Sequence, residues 1–134
     1  MQDIFVRSKI KKENDMEKLI AWVEIPAADF KRAVNFYNNV LNIELQEIDC
    51  GNEKMACFPT GEGAISCAPG FKPSKDGVLV SLNTGNQLDQ TIARVIEQGG
   101  VIAHPKTKIE AEGRGYFAIF TDSEGNKVGL YGDL

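Results

Sequence analysis

Hydrophobic and polar positions change their period several times along the first half of the chain. Residues 18–25 (KLIAWVEI) form a largely apolar run that Pro26 ends, which predicts a strand. Asp29 is a good helix N-cap, and apolar residues then recur at the spacing of one helix face. These residues are Phe30, Ala33, Val34, Tyr37, Val40 and Leu41. Three further strands are predicted at 43–48, 54–58 and 64–68, separated by turns that contain glycine.

The second half repeats this order. Residues 78–82 predict a strand, and Gly99 stops the helix that follows it. That helix is marked by Leu88, Ile92, Val95 and Ile96. The remaining strands are predicted at 101–104, 116–121 and 127–131. The repeat predicts an α+β fold of two tandem βαβββ modules, about 18–70 and 76–132. They form a curved eight-stranded mixed sheet around a cavity, with the helices outside.

Length and charge narrow the class of protein. The chain has 134 residues and a net charge of -4, without the clustered basic surface of a nucleic-acid-binding protein. No apolar run reaches the roughly 18 residues of a membrane helix, and three cysteines without a CxxC pair indicate reduced thiols. We expect a cytoplasmic protein that binds neither nucleic acid nor membrane. Residues 16–134 form its single domain, and residues 1–15 are a flexible N-terminal extension.

Three motifs in order carry a resemblance to a known family. They are EIPAADFKRAVNFYNNVL, IEQGGVI and FTDSEGNKVGLY. Together they resemble the glyoxalase/bleomycin-resistance/extradiol-dioxygenase (vicinal oxygen chelate) superfamily over residues 18–132, in the branch related to lactoylglutathione lyase. The resemblance implies two βαβββ modules, a small-molecule ligand in the sheet cavity, and a homodimer.

Active members of that family hold a divalent metal on cavity-lining side chains of the first and last strands of each module. Aligning the motifs and the internal repeat implies that Trp22, Cys67, Val80 and Gly129 take these positions. Only the thiol among them is a metal ligand, and a single thiol makes no site. We therefore expect no metal and no cofactor, with Gly129 standing where a carboxylate has been lost and leaving room in the cavity.

Other polar residues are candidates for the chemistry of the cavity. Glu24 shares a strand face with Trp22 and is either a general acid or base or part of a structural salt bridge to Arg32 or Lys127. Tyr131 lies two residues beyond Gly129. It is either the catalytic partner of Glu24 or a packed aromatic residue. The only histidine, His104, is better explained as a strand-end residue.

The loop at 106–115 is either a mobile flap at the cavity mouth or an ordinary solvated loop. As a flap it would bring two polar side chains, Glu110 and Arg114, to the cavity.

Three functions follow from the resemblance. The first is a metal-independent protein that binds a small organic molecule and acts, if it catalyses a reaction, as a lyase or isomerase. The second is a drug-sequestering protein of the resistance type. The third, a metal-dependent lactoylglutathione lyase-like enzyme, requires a different register of the ligand positions.

Overall fold

A computed structural model describes residues 18–134 of the chain, so the predicted extension at 1–15 lies outside the described residues. The first module contains β1 (Val23–Pro26), α1 (Phe30–Leu41), β2 (Gln46–Asp49), β3 (Lys54–Cys57) and β4 (Gly63–Cys67). The second contains β5 (Ser81–Asn83), α2 (Leu88–Glu97), β6 (Val101–Lys108), β7 (Tyr116–Thr121) and β8 (Lys127–Gly132).

Each module has one mixed sheet. The strand orders are β1-β4-β3-β2 and β5-β8-β7-β6, with the first strand of each module parallel to its neighbour and the other pairs antiparallel. The predicted α+β fold of two βαβββ modules is confirmed, and its eight strands are divided between two four-stranded sheets. β1 begins later than predicted because its partner β4 begins at Gly63, opposite Val23, which leaves residues 18–22 outside the strand pairing.

The helices pack against the sheets and against each other. Asp29 caps α1 as predicted, and its carboxylate accepts a hydrogen bond from Arg32 N at 3.1 Å. α1 contacts β4, α2 contacts β6 and β8, and the two helices touch. Phe36 of α1 has its ring centroid 6.1 Å from that of Phe120 of β7, so one hydrophobic core joins the two modules. No helix among residues 18–134 is long and apolar enough to cross a membrane.

The turn between β7 and β8 fastens the second module to the start of α1. The Glu124 carboxylate accepts hydrogen bonds from Ala28 N at 2.9 Å, from Asp29 N at 2.7 Å and from Arg32 Nε at 2.7 Å. Its side chain is 1% exposed. Burial raises the pKa of Glu124, but the hydrogen bonds from Arg32, Asp29, Ser123 and Ala28 outweigh burial and lower the pKa to about 2. The residue is therefore an ionised clamp between the modules.

Two other polar side chains of the same turn reach the first module. Tyr37 Oη donates to Asp122 Oδ2 at 2.6 Å inside the core. Asn126 donates through Nδ2 to Pro26 O at 2.8 Å and accepts through Oδ1 from Ser74 N at 3.0 Å. The turn thus holds the end of β1 and the linker between the modules in fixed positions.

Candidate functional site

The alternation of side chains along β1 assigns two of the predicted site residues to the face of the first sheet that points away from the helices. We call this side of each sheet its inner face. Ile25 is buried in the core that the helices cover. Trp22 and Glu24 point the other way, and Trp22 Nε1 donates to Glu24 Oε2 at 3.0 Å. Both residues are exposed. Glu24 has this indole as its partner rather than Arg32, which pairs with Glu124.

Gly129 and Tyr131 lie on the inner face of the second sheet. Their neighbours Val128 and Leu130 are buried on the helix side, so the alternate residues of β8 face away from the helices. Across the sheet, Gly129 pairs with Ser81 of β5 and Ile119 of β7, and Tyr131 pairs with Asn83 and Phe117.

His104 lies inside β6 rather than at its end, and its ring stacks on that of Phe117 with centroids 4.9 Å apart. Phe117 also pairs with Tyr131 across the sheet. The inner face of the second sheet therefore carries a half-buried aromatic surface, formed by His104, Phe117 and Tyr131.

The glycine at 129 has a steric explanation in this structure. A Cβ atom added to Gly129 would collide with Ser81 Oγ and lie 3.2 Å from Ser81 Cβ. Gly129 N also donates to Val80 O at 2.8 Å. The space beside Gly129, expected to be open, is filled by the Ser81 side chain, because β5 and β8 approach closely at this pair.

Cys67 and Val80 lie in different places. Cys67 faces the helices, where it packs against the core with its Sγ 4.0 Å from Ala28 O. It lines an open depression together with Asp29 and Lys54. Val80 lies with Glu24 in another cavity. The four positions implied by the family alignment are therefore not gathered around one point.

The cavity that contains Glu24 and Val80 has a volume of about 350 Å³. We call it the β1–linker cavity, since it lies between β1, residues 71–78 of the linker and the first residues of β8. Its apolar lining consists of Val23, Ile25, Pro26, Phe71, Val78, Val80 and Val128, and its polar lining includes Glu24, Lys72, Ser74, Asn126 and Lys127. Asn126 holds both the linker and β1, so the cavity is preformed by the hydrogen bonds of that side chain.

The predicted flap is attached to the inner face of the second sheet through Tyr131. Gly115 N donates to Tyr131 Oη at 3.1 Å, and Lys108 Nζ donates to Arg114 O at 3.3 Å. Glu110 and Arg114 are exposed, and neither lines the β1–linker cavity. The tip of the loop is thus separate from the cavity that holds Glu24.

The residues present do not fit a metal ion. Within residues 18–134, no three His, Cys, Asp or Glu side chains are placed together in a way that could hold one. The side chains of the inner faces that could bind a metal ion lie on different strands. The thiol of Cys67 lies on the helix side.

Two residues that shape this region were not predicted from the sequence as site residues. Asn126 was visible in the Glu-Gly-Asn turn, but only its hydrogen bonds to Pro26 and Ser74 show that it fixes the cavity. Phe71 comes from the linker, whose sequence shows no hydrophobic periodicity. It lines the cavity because an isolated β-bridge pairs it with residue 68.

Comparison with known proteins agrees with this architecture. The family model described as Glyoxalase/Bleomycin resistance protein/Dioxygenase superfamily matches residues 19–130. The chain belongs to this superfamily. No curated protein matched the sequence.

Solved structures of this superfamily share the fold at low sequence identity. A glyoxalase/bleomycin resistance protein/dioxygenase family enzyme from Burkholderia phytofirmans is 17% identical with a TM-score of 0.65, and the match covers 86% of this chain and 98% of that chain. A glyoxalase/bleomycin resistance protein from Albidiferax ferrireducens is 18% identical with a TM-score of 0.65 and the same coverage, 86% and 98%. A glyoxalase I variant from Zea mays is 17% identical with a TM-score of 0.60, covering 84% of this chain and 45% of that one. At these identities the likeness shows the fold alone.

Proposed function

We propose that this superfamily member binds a small, largely apolar organic molecule in the β1–linker cavity, without a metal. The observation that carries the proposal is the cavity itself, which brings Glu24 and Val80 together in a preformed space of about 350 Å³. Small-molecule sites in proteins are mostly apolar clefts of about 300–1,000 Å³ with a few fixed polar groups. The β1–linker cavity has this size and this composition.

The polar groups of the cavity indicate the chemistry of its ligand. An ionised Glu24 carboxylate only accepts hydrogen bonds, so it selects a ligand that carries a hydroxyl or an amine. The indole of Trp22 donates to the same carboxylate and supplies a flat apolar surface next to it. A ligand with an apolar body and one hydrogen-bond donor satisfies both contacts.

Binding is favoured over catalysis by the positions of the two expected acid–base residues. Glu24 lines the cavity, whereas Tyr131 is not among the residues that line it and is engaged by Gly115 N. Glu24 is also exposed.

A sequestering role for a cationic molecule is the second candidate, because the Glu24 carboxylate offers an amine both a charge and an acceptor.

Tryptophan fluorescence tests the proposal, since Trp22 is the only tryptophan. We expect a screen of small aromatic alcohols and amines to yield compounds that shift its emission. Phe71→Ala removes an apolar wall of the cavity and should weaken their binding by about tenfold, the loss expected for roughly 1.4 kcal/mol. Ile48→Ala is the matched control, because Ile48 is comparably exposed but lies outside the cavity.

A second variant separates the two candidates. Glu24→Gln should weaken amines more than alcohols if sequestration of a cation is the function, and should weaken both equally if the carboxylate is only an acceptor. Binding that is unchanged in both Phe71→Ala and Glu24→Gln would show that the ligand site lies elsewhere.

A homodimer is the partner arrangement that we propose for the chain. Leu19 and Ile20 before β1 are 83% and 64% exposed, and Val78 and Leu79 before β5 are 91% and 50% exposed. Val78 lines the same cavity as Val23, which follows Ile20 by three residues. An apolar surface of this kind is typical of an interface, and a second copy would bury it. Sedimentation of the wild type and of Val78→Asp tests this, with a monomeric wild type contradicting it.

A further inference from the structure

A second cavity adjoins the β1–linker cavity and shares Val23 and Val80 with it. It has a volume of about 640 Å³, and its lining includes residues at the end of α1, in α2 and in β5. We call it the intermodule groove. Its apolar lining consists of Val23, Leu41, Ile43, Phe58, Pro59, Val80 and Leu82. Of the site residues expected from the sequence, Val80 alone reaches it.

Arg94 of α2 places a positive charge in the intermodule groove. Its Nε donates to Val40 O at 2.8 Å and its Nη2 to Thr91 Oγ1 at 3.3 Å. Both acceptors are neutral, and among residues 18–134 no carboxylate lies within salt-bridge distance of Arg94. These two bonds fix the guanidinium group in a half-buried position without neutralising it.

The contact with Val40 explains only part of this arrangement. Val40 lies in the last turn of α1, where a cation stabilises the free carbonyl groups of the helix end. That role uses one N–H group, and the Thr91 contact uses a second. A guanidinium group carries five, so three of them have no protein acceptor in the described part of the chain. A charge that is partly removed from water is costly unless an anion or further acceptors satisfy it.

We propose that the intermodule groove binds a small carboxylate whose apolar body lies along Leu41, Ile43 and Phe58 and whose carboxylate pairs with Arg94. Arginine is suited to this pairing, because its planar group donates two parallel hydrogen bonds to a carboxylate. The carboxylate of Glu62, which also lines the groove, repels an anion and sets the orientation of the ligand. The groove is also lined by the hydrogen-bonding side chains of Thr84, Gln87 and Thr91, and Thr91 contacts Arg94.

The test compares 4-phenylbutyrate with 4-phenylbutan-1-ol, which share an apolar body and differ in charge. Amide and arginine Nε–H signals are followed by NMR in the full chain during titration. We expect the acid to shift the signals of Leu82, Thr91 and Arg94, and to bind about tenfold or more tightly than the alcohol. Equal affinities, no saturation by the acid at millimolar concentration, or shifts confined to the linker residues Phe71 and Lys72 would overturn the proposal.

Substitutions at Arg94 provide the second readout. Arg94→Gln should remove the preference for the acid, and Arg94→Lys, which keeps the charge but loses the paired donors, should retain part of it. Lys75→Gln is the matched control, because it removes one positive charge from an exposed residue outside the groove. An unchanged preference in folded Arg94→Gln contradicts the proposal. If that variant does not fold, the wild-type comparison of acid and alcohol decides the matter.

Discussion

Arg32 on the first helix and Glu124 in the last turn, 92 residues apart, form a two-point ion pair. Arg32 Nε lies 2.7 Å from Glu124 Oε2, and Arg32 Nη2 lies 3.1 Å from Glu124 Oε1. The same carboxylate accepts the free backbone N–H groups of residues 28 and 29 just before the helix. One side chain of the second module therefore stabilises the start of α1 in the first.

Glu124→Gln should lower the free energy of unfolding by roughly 1.5–3 kcal/mol, because an amide loses the charge and turns one acceptor into a donor facing Arg32. Urea denaturation measures the change. Glu44→Gln serves as the control, since Glu44 is exposed and makes no side-chain hydrogen bond within the described residues. Equal stability of the two variants would contradict the clamp.

The Glu124 clamp should also depend on pH. The pKa of Glu124 in the folded chain, about 2, lies below its ordinary value of 4.5. The stabilisation is therefore complete above about pH 4.5 and is lost as the pH falls toward 2. The difference in unfolding free energy between wild type and Glu124→Gln should shrink as the pH is lowered from about 6 to about 3. A constant difference over this range would show that ionisation of Glu124 is not involved.

Tyr37→Phe should destabilise the chain by roughly 1.5–3 kcal/mol, the contribution of a hydrogen bond to a charged group. The hydroxyl group lies in the core, and burial followed by the Asp122 charge raises the pKa of Tyr37 well above its ordinary value. Asp122 would lose its buried donor at 2.6 Å. Tyr116→Phe is the matched control, since the Tyr116 hydroxyl makes no hydrogen bond within residues 18–134. Thermal unfolding that ranks the two variants equally would argue against the Tyr37 contact.

Gly129→Ala should cost about 1–3 kcal/mol, the usual range for overpacking, because the added methyl group meets Ser81. The cost should fall when Ser81 is replaced by glycine, and a double-mutant cycle measures this coupling. Gly132→Ala in the Ser81→Gly background is the comparison, since its added methyl group meets Leu88 and Thr84 instead. A cost for Gly129→Ala that is the same with and without Ser81 would mean that the close approach of β5 and β8 is not its cause.

Purified protein should contain far less than one Ni, Zn, Fe or Mn ion per chain, since the described residues hold no cluster of metal-binding side chains. Elemental analysis after purification without chelators measures this. One ion per chain that is lost in both Glu24→Gln and Cys67→Ser would contradict the expectation and point to a rearranged site.

Local patterns in the sequence determined the helices and the duplicated order of elements. The apolar spacing of residues 30–41 and the cap at Asp29 depend only on neighbours in the chain, and both agree with α1 as observed. The Glu-Gly-Asn turn could be predicted equally well, because its residue types and their spacing favour a turn. These features were sufficient to predict the fold and the superfamily.

The side-chain environments were decided by tertiary structure. Which face of β4 carries Cys67 depends on how that strand meets the helix, and a shift of one residue reverses every side chain. The crowding at Gly129 arises from Ser81, 48 residues earlier. The position of the Arg94 charge is fixed by a hydrogen bond to Val40 O, 54 residues away. Contacts between distant residues leave no local period, so the cavities and their polar groups emerged only when the two modules packed together.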